Sequence, residues 1–120
     1  MSSFRWNIFL ANLDPTVGSE QGKTRPVLVI SDETINQILP IVNVLPLTSV
    51  KPGKRIYSNQ VLLSSTVTDL PKDSIALCYQ IRTLDKQRLI KKIGEINSIR
   101  IKEEIIDALC FQLGIGEGIY

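Results

Sequence analysis

Histidine is absent from the 120 residues of this chain. That removes the commonest general base, the commonest zinc ligand and every Ser-His-Asp or Cys-His arrangement, so any chemistry must come from Arg, Lys, Thr, Ser, Tyr or carboxylates. Cysteine is scarce: Cys78 and Cys110 stand alone, without partners at metal-binding spacing. Nothing suggests secretion, so both are expected as reduced thiols in the core, with neither a disulfide nor a catalytic thiol. No run of about 18 apolar residues occurs, and the start "MSSFRWNIFL" lacks a long apolar stretch followed by a small-residue cleavage site. A soluble, cytoplasmic protein with no membrane partner is therefore expected. A large charge excess is missing too, since 14 basic residues face 12 acidic ones for a net +2, too little to announce nucleic-acid binding alone. Internal repeats and low-complexity tracts are likewise absent.

What is present suits one domain over residues 1–120. Its 43% apolar content allows about two-thirds of the unfolded surface to be buried in a single core. Residues 8–13 ("IFLANL") read as a strand, and "RPVLVIS", with its β-branched apolar residues, as a second one buried on both faces. "DETINQILP" reads as one or two helical turns, with Asp32 as N-cap and Pro40 as stop. It leads to a strand "IVNVLPLTS" in which Pro46 argues for an edge position or a bulge. "VKPGKRIYSN" is a basic, turn-rich connection, "QVLLS" a short strand and "TDLPKD" a turn. "SIALCYQIRTL" reads as one strand with Gln80 and Arg82 near its end, and "IKKIGEI" as another. Only the last segment is clearly helical: Asn97 or Ser98 can cap it, Ile101, Ile105 and Leu109 recur at four-residue spacing, and Gly114 supplies a stop before a frayed or partly docked tail. Six short strands and one closing helix predict a mainly β, α+β fold, a small and strongly bent sheet or barrel.

The segment "VGSEQGKTRPVLVIS" joins a polar, glycine-containing loop directly to an apolar strand. The whole connection from Asp14 to Thr24 is long for a loop without structure of its own, and such loops are often functional. Pro26 biases Arg25 toward an extended conformation, so the arginine is expected to be held by the sheet rather than by the loop. It presents a cation from a rigid base, or else it forms an ion pair with Glu20 or Asp14 that pins the loop. "GSEQGKT" is not a phosphate-binding P-loop: only three residues separate the two glycines, and a Pro-containing strand follows in place of a helix. Thr48 at a strand end is unremarkable by itself. Basic residues gather at Lys51, Lys54 and Arg55 and again at Lys86, Arg88, Lys91 and Lys92, a pattern that usually marks a solvated face.

Three stretches, "NLDPTVGSEQGKTRPVLVIS", "PLTS" and "KDSIALCYQIRTLDKQRL", resemble in order and spacing the MazF/PemK family of toxin endoribonucleases from bacterial toxin-antitoxin pairs. The "GSEQG" to "RPVLVI" portion is quite specific, and "QIRT" to "DKQRL" is an independent match. The resemblance covers nearly the whole chain. It implies an SH3-like, MazF/CcdB-type small barrel, a symmetric homodimer, cleavage of single-stranded RNA at short motifs without metal or cofactor, and a cognate antitoxin whose flexible segment occupies the RNA groove. By matching motif, the catalytic arginine falls on Arg25 and the catalytic threonine on Thr48. Ser19 and Glu20 match the substrate-facing loop, and Gln80 and Arg82 match positions near RNA and the dimer groove. Lys51 and Lys54 join Arg82 in a basic groove suited to substrate or to an acidic antitoxin segment.

These residue types fit the implied chemistry. RNA carries its own nucleophile, the 2′-hydroxyl, so an enzyme need only align it, accept its proton and stabilise charge on the phosphorane and the departing 5′-oxygen. An arginine fork binds phosphate oxygens and is a candidate proton donor to the leaving group; a threonine hydroxyl can hold another oxygen. Glu20 and solvent are both candidates for the base. Departures from the family pattern are Trp6 and Asn7, where Arg-Gly-Asp or Arg-Gly-Glu is common, and Tyr79, where an acid is common before the Gln. They leave two other functions to consider: a CcdB-like binding toxin that poisons gyrase, and a catalytically weakened protein that only binds RNA or antitoxin.

Overall fold

The computed structural model describes residues 3–116. Strands β1 (Asn7–Asn12), β2 (Thr24–Val29) and β3 (Ile41–Ser49) form an antiparallel centre, with the short helix α1 (Glu33–Ile38) between β2 and β3. Then follow β4 (Gln60–Leu63), a single-turn helix α2 (Ser65–Thr68), β5 (Ser74–Leu77), β6 (Arg82–Asp85), β7 (Leu89–Glu95) and the long helix α3 (Ile99–Leu113). The strand order is β4-β5-β3-β2-β1-β7, with β6 also on β3.

Two strand expectations change. Residues 74–84 are not one strand: a 3₁₀ turn over Cys78–Gln80 splits them into β5 and β6. Among the described residues seven strands result instead of six. The cause lies in β3, whose first half (Ile41 to Val44) pairs with β6 and whose second half (Leu47 to Ser49) pairs with β5. Pro46 falls between these two stretches. It is therefore in a central strand rather than at an edge, at the one place where β3 has no neighbour on that side and a missing N–H breaks no ladder there. The third change is α2, which occupies residues read as connection. Ser65 N–H donates to Asp73 Oδ1, and Asp69 ends the turn in a left-handed conformation at φ 65°.

The split strand gives the sheet two concave regions. Strands β6-β3-β2-β1-β7 curl together, β6 running into β7 through a 3₁₀ turn at Lys86–Arg88, around Ala11, Leu13, Val27, Val29, Val42, Val44 and Leu84. On the opposite face, Ile8, Leu28, Leu45 and Leu47 pack against β4, β5 and α3. The helix behaves as its periodicity requires: Ser98 Oγ accepts from Ile101 N–H, Ile101, Ile105, Ala108 and Leu109 are buried, and Gly114 closes the end at φ 67° with Ile115 N–H on Cys110 O. Each buried Ile or Leu contributes about 1.5–3 kcal/mol. Residues 117–120 of the expected tail lie outside the described residues. Of the cysteines, Cys78 is fully buried and desolvation pushes its thiol up to about 12, whereas Cys110 is only half-buried.

β7 and β4, the two ends of the strand order, do not pair. They are bridged by α2, whose Thr68 carbonyl oxygen lies so close to Gly94 of β7 that a Cβ there would overlap it. Glu33 secures the N-terminal segment in a similar way: its carboxylate accepts from the backbone N–H groups of Phe4 and Arg5 and from Asn36 Nδ2 and Gln37 Nε2. Burial alone would raise its pKa, but the bonds from Arg5, Gln37, Asn36 and Phe4 outweigh that and hold it below the ordinary value. A depressed folded pKa means stability that is present above the unfolded pKa and lost as pH falls through the folded one. Glu33→Gln is therefore expected to be less stable than the parent at pH 7 but indistinguishable from it well below about pH 4, as read by urea unfolding at both pH values.

Candidate active site

Arg25 is the second residue of β2, already extended as Pro26 requires, and pairs with Ala11 on one side. On the other side Val27 pairs with Pro46. Carrying this antiparallel register two residues further sets Arg25 opposite Thr48, and residues opposite one another project from the same face of a sheet. That face also bears Val27 and Val29, so the arginine and the threonine stand at the open end of the curled strands, just past their buried apolar filling. Both are half-buried.

The ion pair considered for Arg25 does not form. Among the described residues the ion pairs are Lys92–Glu95 and Arg100–Glu104, both on the surface. Instead, Arg25 Nε donates to the Gly22 carbonyl at 3.0 Å, which fixes the root of the guanidinium. Asp14 Oδ1 accepts from Lys23 N–H at 2.8 Å, and Glu20 Oε1 accepts from Val17 N–H at 2.6 Å. Both acids therefore shape the loop. Glu20 is exposed, and its Oε2 has no protein partner among the described residues.

The loop from Asp14 to Lys23 is built on main-chain anchors. Arg82 Nη1 donates to Leu13 O, and Arg88 Nη1 donates to the carbonyls of Asn12 and Asp14. The tip is tied to the 3₁₀ turn by the Gln80 amide, whose Oε1 accepts from Gln21 N–H at 2.8 Å and whose Nε2 donates to Ser19 O at 3.3 Å. Gly22 is required for space, because a Cβ there would come within 2.7 Å of Asp14 Oδ1 and of Thr16 Oγ1. Ser19, Glu20, Gln80 and Arg82 thus meet, with Tyr79 and Ile81, around a shallow cleft of about 300 Å³. Lys51 and Lys54 do not line it. They are exposed residues of the β3–β4 connection that follows Thr48, with Lys54 N–H on Lys51 O. The anchoring roles of Asp14 and Arg88 were missed from sequence, although both lie inside the matched stretches. Among the described residues no three His, Cys, Asp or Glu side chains gather as metal ligands, and no helix is long and apolar enough to cross a membrane.

Residues 4–113 match the PemK-like, MazF-like toxins of type II toxin-antitoxin systems. The chain belongs to this family. It is 38% identical over 111 residues to the endoribonuclease MazF of Staphylococcus saprophyticus, covering 92% of this chain and 91% of that protein. MazF from Deinococcus radiodurans superposes with a TM-score of 0.79 at 25% identity, over 96% of this chain and 99% of that one. A mycobacterial endoribonuclease in complex with its cognate antitoxin gives a TM-score of 0.76 at 21% identity, over 95% and 97% of the two chains, a likeness of fold.

The residues that depart from the MazF/PemK pattern sit in informative places. Trp6 adopts φ 67°, a conformation that suits the glycine common there. Its indole packs on the main core, with Arg5 Cζ 5.2 Å and Lys102 Nζ 5.6 Å from the ring centroid, so it acts in packing and cation–π contact. Asn7 is buried and donates to Ser3 O and Oγ at 2.9 and 3.0 Å, tying down the N-terminal segment. It precedes Ala11, the β1 partner of Arg25, by four residues and takes no part in the cleft. Tyr79 does line it.

Proposed function

We propose that this MazF/PemK-family chain is a cytoplasmic, metal-independent endoribonuclease that cuts single-stranded RNA at short sequence motifs, acting as the toxin of its pair. The observation that supports the reading is the β2–β3 register, which runs as far as Val27 and Pro46 and, continued by two residues, sets Arg25 opposite Thr48; Gly22 O, which holds Arg25, belongs to the same loop as Ser19 and Glu20 of the cleft. A phosphodiester laid across the strand ends meets a cation whose Nε is already held by Gly22 O, leaving its terminal nitrogens for phosphate oxygens. In the reaction the 2′-oxygen forms a bond to phosphorus and the bond to the 5′-oxygen breaks. The 2′-proton passes to solvent or to Glu20, and the 5′-oxygen takes a proton from Arg25 or solvent. Arg25 and Thr48 stabilise the charge that builds on the phosphorane, the term that dominates such catalysis. The products are a 2′,3′-cyclic phosphate and a 5′-hydroxyl.

The same groove, with Lys51 and Lys54 on the connection beyond Thr48, suits the acidic segment of a cognate antitoxin that orders as it binds, and the active species is a homodimer. The chemistry is tested by incubating the purified protein with a long unstructured RNA in EDTA. Fragments are expected whose 5′ ends accept phosphate from polynucleotide kinase without prior phosphatase treatment, and sequencing of those ends gives the cleavage motif. Undamaged RNA, or 5′-phosphate ends, would rule the mechanism out.

A further inference from the structure

We infer that Arg88 is a positioning residue for Arg25, acting through Asp14 and the single peptide group between Gly22 and Lys23. This rests on the proposed function and deepens it. Composition groups Arg88 with the exposed cations Lys91 and Lys92, but Arg88 is half-buried and belongs to neither ion pair among the described residues. It grips the start of the Asp14–Lys23 loop, its Nη1 donating to Asn12 O at 3.2 Å and to Asp14 O. Pairing of β1 with β7 stops at Ala11 and Leu89, so beyond that point the Arg88 side chain supplies the donors that a strand would otherwise provide. Hydrogen bonds from a cation are roughly twice as strong as those between neutral groups, which suits Arg88 to hold a loop entry firmly.

Asp14 carries this hold across the loop. Its Oδ1 accepts from Lys23 N–H at 2.8 Å, and the peptide group that owns this N–H also owns the Gly22 carbonyl, to which Arg25 Nε donates at 3.0 Å. A trans peptide is planar, with its N–H and C=O pointing opposite ways, so fixing one edge aims the other. The position is imposed rather than relaxed. Lys23 stands at φ 64°, a conformation that residues other than glycine seldom adopt, and it is kept there by Asp14 on its N–H and by Leu13 N–H on its carbonyl at 2.8 Å. Releasing Asp14 lets Lys23 turn back to negative φ, and that rotation swings the Gly22 carbonyl away from Arg25 and frees the guanidinium. The loop tip is not on this path, because Gln80 holds Ser19 O and Gln21 N–H from the 3₁₀ turn. The aim of Arg25 and the place of the tip are thus set by different side chains.

The test compares Arg88→Gln, Arg88→Lys, Asp14→Ala and Asp14→Asn in two readouts. In NMR spectra the Arg25 Nε–H signal, identified by its absence from Arg25→Lys, should be resolved and slow to exchange in the parent and lost to solvent exchange in Arg88→Gln and Asp14→Ala. On a long unstructured RNA those two variants should lower kcat about 10- to 100-fold with little change in KM. Arg88→Lys and Asp14→Asn, which keep a donor and an acceptor in place, should recover part of the loss. Combined with Arg25→Ala, neither Arg88→Gln nor Asp14→Ala should slow cleavage further, whereas combined with Thr48→Ala each still should. Asp14 is exposed, so Asp14→Ala tests the path even where Arg88→Gln fails to fold. An unchanged Nε–H signal in the variants would overturn the proposal. So would losses that add fully to that of Arg25→Ala, or a loss in KM alone that shrinks as salt rises, the mark of a direct phosphate contact. A parent that cuts no RNA, but whose Nε–H signal depends on Arg88 and Asp14, removes the enzyme activity and leaves the positioning standing.

Discussion

Arg25→Ala is expected to slow RNA cleavage by about two to three orders of magnitude, the scale of losing one preorganised donor to a developing oxyanion. Unfolding should be little affected, since the side chain is half-buried at a strand end and its removal opens no cavity among the core residues. Arg25→Lys should recover only a small part of the rate. A lysine has no Nε to hold the Gly22 carbonyl and offers a point charge in place of a planar fork. Thr48→Ala should also slow the reaction, by less, because a neutral hydroxyl is a weaker partner for phosphate than a guanidinium. Single-turnover cleavage of one RNA in EDTA, with thermal unfolding alongside, measures all three. Equal rates for the variants and the parent would remove these two residues from the mechanism.

Gly94→Ala is expected to have the opposite profile, a large loss of stability caused far from the cleft. The added methyl would meet the Thr68 carbonyl oxygen first, with a Leu70 methyl at 3.4 Å and an Ile8 methyl at 3.5 Å behind it. A flexible side chain could swing away, but the backbone carbonyl of the last residue of α2 cannot do so without moving the helical turn. Overpacking of this kind costs on the order of 3 kcal/mol, which for a domain this size lowers the melting temperature by roughly 10–15 °C. Calorimetry on the purified variant gives the figure. An unchanged melting temperature would mean that α2 and β7 are not closely packed.

Local signals in the sequence were read well where the cause is local. Pro26 makes Arg25 extended, Ser98 and Gly114 bound α3, and Asp32 caps α1 by accepting from Thr34 N–H. Facts that depend on pairing between distant segments were not accessible in the same way. Residues 74–84 have the apolar makeup of one strand, and only the change of partner along β3 reveals why they break at Cys78. The α2 turn is made of Ser, Thr and Val, poor helix formers, and exists because Asp73 and Asp69 supply its ends. The same limit applies to the site. Resemblance named Arg25 and Thr48, whereas the β2–β3 register that sets them opposite when continued past Val27 and Pro46 is encoded by no spacing along the chain. The anchors Asp14 and Arg88 act through backbone atoms, which leave little trace in residue type.

The Asp14–Lys23 loop carries a consequence for how such a protein diversifies. Its shape is dictated chiefly by carbonyls and amide N–H groups gripped from outside by Arg82, Arg88 and Gln80, and from within by Asp14. The side chains of Val17 and Ser19 are therefore spectators to their own loop's geometry, both exposed to solvent. Mutation can exchange them freely while the Arg25 guanidinium stays anchored on Gly22 O, so under the proposed function the preferred RNA sequence can drift across generations without the cutting machinery having to be rebuilt.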